Sequence, residues 1–126
     1  MRTVGRGSVF TLTGRLRANA SYCARHNTIF QGLAADGAKL GVWCLWRAGF
    51  RIVNFIHDEV LVEVPAGSNL AHQAEIVRYL MVKGMREVVP DILVDVEYAV
   101  SERWFKNAKV TLDRDGKLTT WQPAEG

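Results

Sequence analysis

The chain has 126 residues, of which 48% are hydrophobic and 23% charged, with a formal net charge of +3. That length suits one compact domain rather than two, and the balance excludes a disordered or low-complexity chain. No apolar run approaches the roughly 20 residues needed to cross a bilayer, and the mild positive charge permits a polyanionic partner without requiring one.

In chain order, SVFTLTGRLRA (residues 8–18) predicts a strand, a turn at Thr13-Gly14 and a second short strand. Arg2, Arg6, Arg15, Arg17 and Arg25 fall in the first 25 residues, which contain no acid, so this arm is a candidate phosphate-contacting surface; a solvated basic arm is the alternative. Residues 19–26 are polar and suit a turn or one helical turn. The start MRTVGRGSVF lacks the apolar centre of a signal peptide, and Cys23 and Cys44 form no metal-type pair. A cytoplasmic location, in a bacterial or virus-infected cell, is therefore expected, with no membrane partner.

Residues 27–47, NTIFQGLAADGAKLGVWCLWR, predict a helix closed by Gly49 at its C′ position. Apolar side chains surround it except along a stripe at spacing four, Asn27, Gln31, Ala35 and Lys39, so burial on most sides is expected. Gly32, Gly37 and Gly41 each cost about 1 kcal/mol relative to Ala in a helix, which implies close approach of another backbone or a ligand. Residues 50–57 and 60–64 predict two strands joined by a tight turn. A helix over 70–88, capped by Ser68 or Asn69 and stopped by Val89-Pro90-Asp91, follows. Residues 92–100 alternate as a strand, and Asp115-Gly116 marks a terminal hairpin. The order predicts an α+β domain: an antiparallel sheet around a central His-Asp-Glu hairpin, with two helices packed on one face.

The unusual feature is FIHDEVLVEVP, residues 55–65, where His57, Asp58 and Glu59 interrupt an apolar strand pair. Adjacent carboxylates repel, and burial would raise their pKa without a positive partner. Two explanations are sensible. One is an ordinary exposed turn. The other is a divalent cation on Asp58, with Glu59 near it, since hard cations such as Mg²⁺ take one or two protein carboxylates.

HNTIFQGLAADGAKL, followed by FIHDEVLVEVP, resembles the C-terminal palm of family A DNA polymerases, the bacterial polymerase I type. The matching positions are Asn27, Gln31, Gly32, Ala35, Asp36 and Lys39, then His57-Asp58-Glu59, then Trp104, and TLTGRLR resembles the family's preceding Gly-Arg hairpin. The resemblance covers about residues 9–107 of a single domain, 1–126, leaving 108–126 as an accessory hairpin and tail. It implies that Asp58 helps hold two catalytic Mg²⁺ (or Mn²⁺) ions, that Glu59 tunes them, and that His57 meets the primer end. Asn27 and Gln31 are implied to contact the minor groove of primer-template DNA, where acceptors occur on every base pair. Arg25 and Arg15 are candidate phosphate contacts. Cys23 stands where relatives carry a basic residue, so no role passes to it. Asp36 and Lys39 are expected to anchor the helix.

Such polymerases also need a second aspartate on an earlier strand and a fingers helix that clamps the incoming nucleotide, and these 126 residues match neither. The expectation is a palm fragment that is inactive alone. It would be completed by a complementing polymerase chain, or would self-associate through the open hairpin edge at 55–64. A split gene or an excised domain would equally explain a chain beginning at Met1. Two alternatives remain: a non-catalytic module that kept the fold and binds nucleic acid or protein, and a metal-dependent phosphohydrolase or nuclease using Asp58 and Glu59.

Overall fold

The computed structural model describes residues 7–124, so Arg2 and Arg6 of the basic arm lie outside the described residues. Strand β1 (Gly7–Phe10) pairs antiparallel with β2 (Leu16–Ala20), and Gly14 adopts φ +88° in the intervening turn, a conformation natural to glycine. Helix α1 (Tyr22–Asn27) starts at Ser21, whose hydroxyl accepts from the Ala24 N–H at 3.4 Å. It continues through a π-helical stretch, Thr28–Gly32, into α2 (Leu33–Arg47). The helical region thus begins five residues before the expected start. The Ser21 cap is the sequence signal for it.

Helix α2 ends as its sequence predicts. Gly49 has φ +88°, its N–H donates to Trp46 O at 3.0 Å, and Phe50 N–H donates to Leu45 O at 3.1 Å. Those two bonds are the Schellman pattern. The chain then forms β3 (Arg51–Ile56) and β4 (Glu59–Glu63), paired antiparallel with an irregularity at Val53. Helix α3 (Leu70–Val88) is capped by Asn69, whose side chain accepts from His72 N–H at 3.1 Å. A last hairpin joins β5 (Thr111–Leu112) to β6 (Leu118–Thr119). Its turn is held by the Asp113 carboxylate, which accepts from the N–H groups of Asp115 and Lys117, both at 2.9 Å.

The architecture is α+β; among the described residues the strands form three separate two-stranded antiparallel hairpins rather than one continuous sheet. The centre is the crossing of α2 and α3. Glycines make it close: Gly37 faces Met85, Gly41 faces Met81, and Gly84 lies directly against the backbone of Leu40 and Gly41. The close approach expected from the α2 glycines is therefore real for Gly37 and Gly41, and its partner is another helix. Gly32 instead faces the methyl groups of Thr11 and Thr28.

Two expectations need correction. Helix α2 buries Gly37, Gly41 and Leu45 along one face only. On other faces Trp43 and Trp46 are 51% and 60% exposed; their rings pack 4.9 Å apart, with the Arg47 guanidinium 5.9 Å from the Trp43 ring. Apolar residues all round a helix predicted more burial than three hairpins and one helix partner supply. Residues 93–100 enter no strand ladder among the described residues, although the alternation of their sequence and of their burial is that of a strand. Instead they are fastened to α3 by side chains. Arg78 donates to Asp95 through two nitrogens, at 2.6 and 3.1 Å, and Tyr98 OH donates to Glu75 at 3.0 Å. These bonds hold the Asp95 carboxyl below, and the Tyr98 hydroxyl above, their ordinary pKa ranges.

Candidate functional site

The register Ile56↔Glu59 leaves His57 and Asp58 as the two turn residues of the β3–β4 hairpin. His57 has φ +55°, the left-handed region. For an L-residue that conformation costs about 1–2 kcal/mol, and a two-residue hairpin normally places glycine there. A non-glycine residue in this position points to a requirement on its side chain. His57, Asp58 and Glu59 are all exposed.

Two further interactions brace the turn. The Asn54 carboxamide accepts from Phe55 N–H at 2.8 Å. Glu59 accepts a hydrogen bond at 2.9 Å from the indole N–H of Trp104, 45 residues later. The sequence marks Trp104 only as a motif match, and nothing in its spacing reveals that it holds Glu59. At the other end of the hairpin, Arg51 pairs with Glu63 at 3.0 Å.

The donor set is compatible with a hard divalent cation in type but small in number. Two exposed carboxylates suit Mg²⁺, which keeps several waters and takes remaining oxygens from substrate phosphates. One Glu59 oxygen is already shared with an indole N–H, so Asp58 is the freer ligand. No group of three or more His, Cys, Asp or Glu side chains among the described residues is arranged to hold a metal.

The other candidate residues occupy the β1–β2 hairpin and the helix after it. Asp36, whose side chain is 11% exposed, gathers the β1–β2 turn: it pairs with Arg15 and accepts from the hydroxyls of Thr13 and Thr11, the latter at 3.2 Å. Asp36 is thus an anchor, as expected; exposed Arg15 is paired with it, whereas Lys39 is exposed and makes no side-chain hydrogen bond or ion pair among the described residues. Asn27 ends α1 and Gln31 lies in the π-helical stretch; both are exposed, and neither amide side chain has a hydrogen-bond partner among the described residues. Wider helical turns of this kind recur at functional sites. Arg25 is half-buried, with its Nε enclosed and unpartnered, beside a shallow cavity also lined by Ser8, Tyr22 and His26. No hydrogen bond or ion pair among the described residues joins the Asp36 cluster to the His57-Asp58-Glu59 turn. No helix among them is long and apolar enough to cross a membrane.

Comparison with known proteins finds similarity to a DNA polymerase. The chain is 31% identical over 107 residues to DNA polymerase I of Aquifex aeolicus (strain VF5), a match covering 77% of this chain and 18% of that polymerase. The chain is therefore related in sequence to part of a DNA polymerase, and it spans less than a fifth of that relative's length. No family model matches, and no solved structure matches.

Proposed function

We propose that the chain serves as the C-terminal part of the palm of a family A DNA polymerase, contributing one metal-binding carboxylate and primer-template contacts to nucleotidyl transfer. The observation that carries this reading is the His57-Asp58-Glu59 turn: three exposed functional side chains on a two-residue hairpin, with a left-handed histidine, in a chain similar to a DNA polymerase I.

Asp58 is the cation ligand, because the turn presents its carboxylate to solvent from the end of a strand pair. Glu59, steadied by Trp104, adjusts the charge around it. Asp58, with Glu59 beside it, would hold a divalent cation, which would supply stabilisation of the negative charge that develops in phosphoryl transfer. His57 orients the primer end. Asn27 and Gln31 offer free amide groups to minor-groove acceptors, which lets the site sense base-pair shape without reading sequence. Arg25 contacts backbone phosphate, whereas Arg15 acts by fixing the β1–β2 turn. The second carboxylate and the nucleotide clamp come from a complementing polypeptide, through an open edge of the β3–β4 hairpin.

The test is primer extension with Mg²⁺ or Mn²⁺ after mixing the chain with a polymerase I fragment carrying the first aspartate and the fingers. Extension by wild type, lost on Asp58→Asn while primer-template binding persists, is the expected result; equal extension by Asp58→Asn would refute the assignment. A second reading, a non-catalytic nucleic-acid- or protein-binding module, is favoured by the Trp104–Glu59 bond, which gives one motif carboxylate a structural task. That reading predicts DNA binding unaffected by Asp58→Asn and no extension with any added fragment.

A further inference from the structure

Every buried or packed backbone segment must place its N–H and C=O groups somewhere, and residues 93–99 do not place theirs in the described protein. Val94, Val96, Tyr98 and Val100 are half-buried, alternating with exposed Leu93, Asp95, Glu97 and Ala99, the burial rhythm of a strand lying on a helix layer. Backbone hydrogen bonds bracket the run, from Ile92 N–H to Val89 O and from Trp121 N–H to Val100 O. Between them, among the described residues, no N–H or C=O of 93–99 takes part in a backbone–backbone bond; Val96 N–H is met only by the Asp95 side chain at 2.8 Å. The run is nonetheless fastened to α3, because Arg78 grips Asp95 and Glu75 grips Tyr98, and its burial alternates with the period of a strand. A strand already ordered before it is paired loses little entropy on pairing.

We infer that residues 93–99 are an acceptor edge for a β-strand of a different polypeptide, one carrying Lys or Arg where it faces Asp95 and Glu97. A second copy of this chain fits poorly. Antiparallel self-pairing centred on the run sets Asp95 against Glu97, or each against itself, and in-register parallel pairing stacks like on like. Like charges directly opposite destabilise a strand pair. Arg78 offsets Asp95, but Glu97 has no ion-pair partner among the described residues. A cationic strand supplies that partner, while Leu93, 98% exposed, offers an apolar contact at one end. This deepens the complementing-polypeptide part of the proposed function and rests on it only in requiring a second chain. It adds a second pairing run to the open edge of the β3–β4 hairpin, and its test contains no DNA.

The experiment is backbone amide hydrogen exchange on the full chain, alone and with a short peptide of alternating valine and lysine, with a valine–glutamate peptide as control. The lysine peptide is expected to slow exchange across 93–99 by about tenfold or more, equivalent to about 1.4 kcal/mol; the glutamate peptide is not, and Glu97→Lys should reverse the preference. The inference fails if neither peptide slows 93–99, if both slow it equally, or if protection appears only on β3 or β4. It also fails if 93–99 is protected without peptide, whether in proportion to protein concentration, as self-pairing requires, or independently of it, as covering from within the chain requires.

Discussion

The crossing of α2 and α3 makes a quantitative prediction about Gly84. A β-carbon built there would stand directly against the Gly41 nitrogen, 2.5 Å from Gly41 Cα and 2.7 Å from the Leu40 carbonyl carbon. Carbon atoms in comfortable contact are about 3.5–4.0 Å apart, so Gly84→Ala must part the helices by roughly 1 Å. All three obstructing atoms are backbone, and no side-chain rotation relieves them. Overpacking typically costs about 1–3 kcal/mol, and more where the surroundings cannot yield. Alanine returns about 1 kcal/mol through its higher helix propensity. The net expectation is a loss of about 2 kcal/mol or more, from a total that for small domains is about 5–15 kcal/mol. Urea unfolding followed by circular dichroism should show the midpoint of Gly84→Ala lowered by about 1 M with little change in slope. Gly37→Ala is the matched control, because its β-carbon would lie 3.3 Å from Met85 Cα, a distance met by a slight adjustment; its midpoint should stay near wild type. A Gly84→Ala midpoint at or above that of wild type, or no lower than that of Gly37→Ala, would show that the two helices are not pressed together as described.

Two other predictions concern the turn and the run at 93–100. His57→Gly removes the left-handed penalty and should raise stability by up to about 1 kcal/mol while weakening primer-template binding, read by urea midpoint and fluorescence anisotropy; a less stable variant would mean His57 is not strained. Asp95 has its pKa lowered by the Arg78 hydrogen bond and then by the Val96 N–H, so its contribution is present above the ordinary carboxylate value and fades as pH falls below about 4 through the depressed value. Tyr98, raised by its bond to Glu75 and by burial, contributes below about pH 10 and ceases to as pH climbs through the raised value. Thermal midpoints of wild type and Arg78→Met should therefore converge in acid; a gap unchanged from neutral pH to pH 2 would refute the Asp95 assignment.

The parts that sequence made legible are those decided by a few neighbouring residues. Asn69 and Pro90 bracket α3, Gly49 closes α2, and Asp115-Gly116 turns the last hairpin, each by local backbone chemistry. The position of the His57-Asp58-Glu59 turn was equally local. Partnerships across the chain were not: Asp36 with Arg15 and Thr13, or Glu59 with Trp104, depend on how elements meet. Residues 92–100 illustrate the boundary between the two. Alternation reports which side chains are covered, and every other residue from Val94 to Val100 is indeed half-buried. It carries no information about what lies beside the backbone, so an expected sheet member became an unpaired run.

The α2–α3 crossing also bears on how the chain reaches its final form. Its two helices are consecutive long helices in sequence, separated only by the β3–β4 hairpin. When α2 and α3 dock, the ends of that short intervening segment are fixed, and closing so small a loop costs little entropy. Pairing of β3 with β4 is then a nearly local event, of the kind that proceeds in microseconds. Local closure therefore predicts that the turn bearing Asp58 forms together with the α2–α3 crossing, ahead of the contact between the distant Trp104 and Glu59.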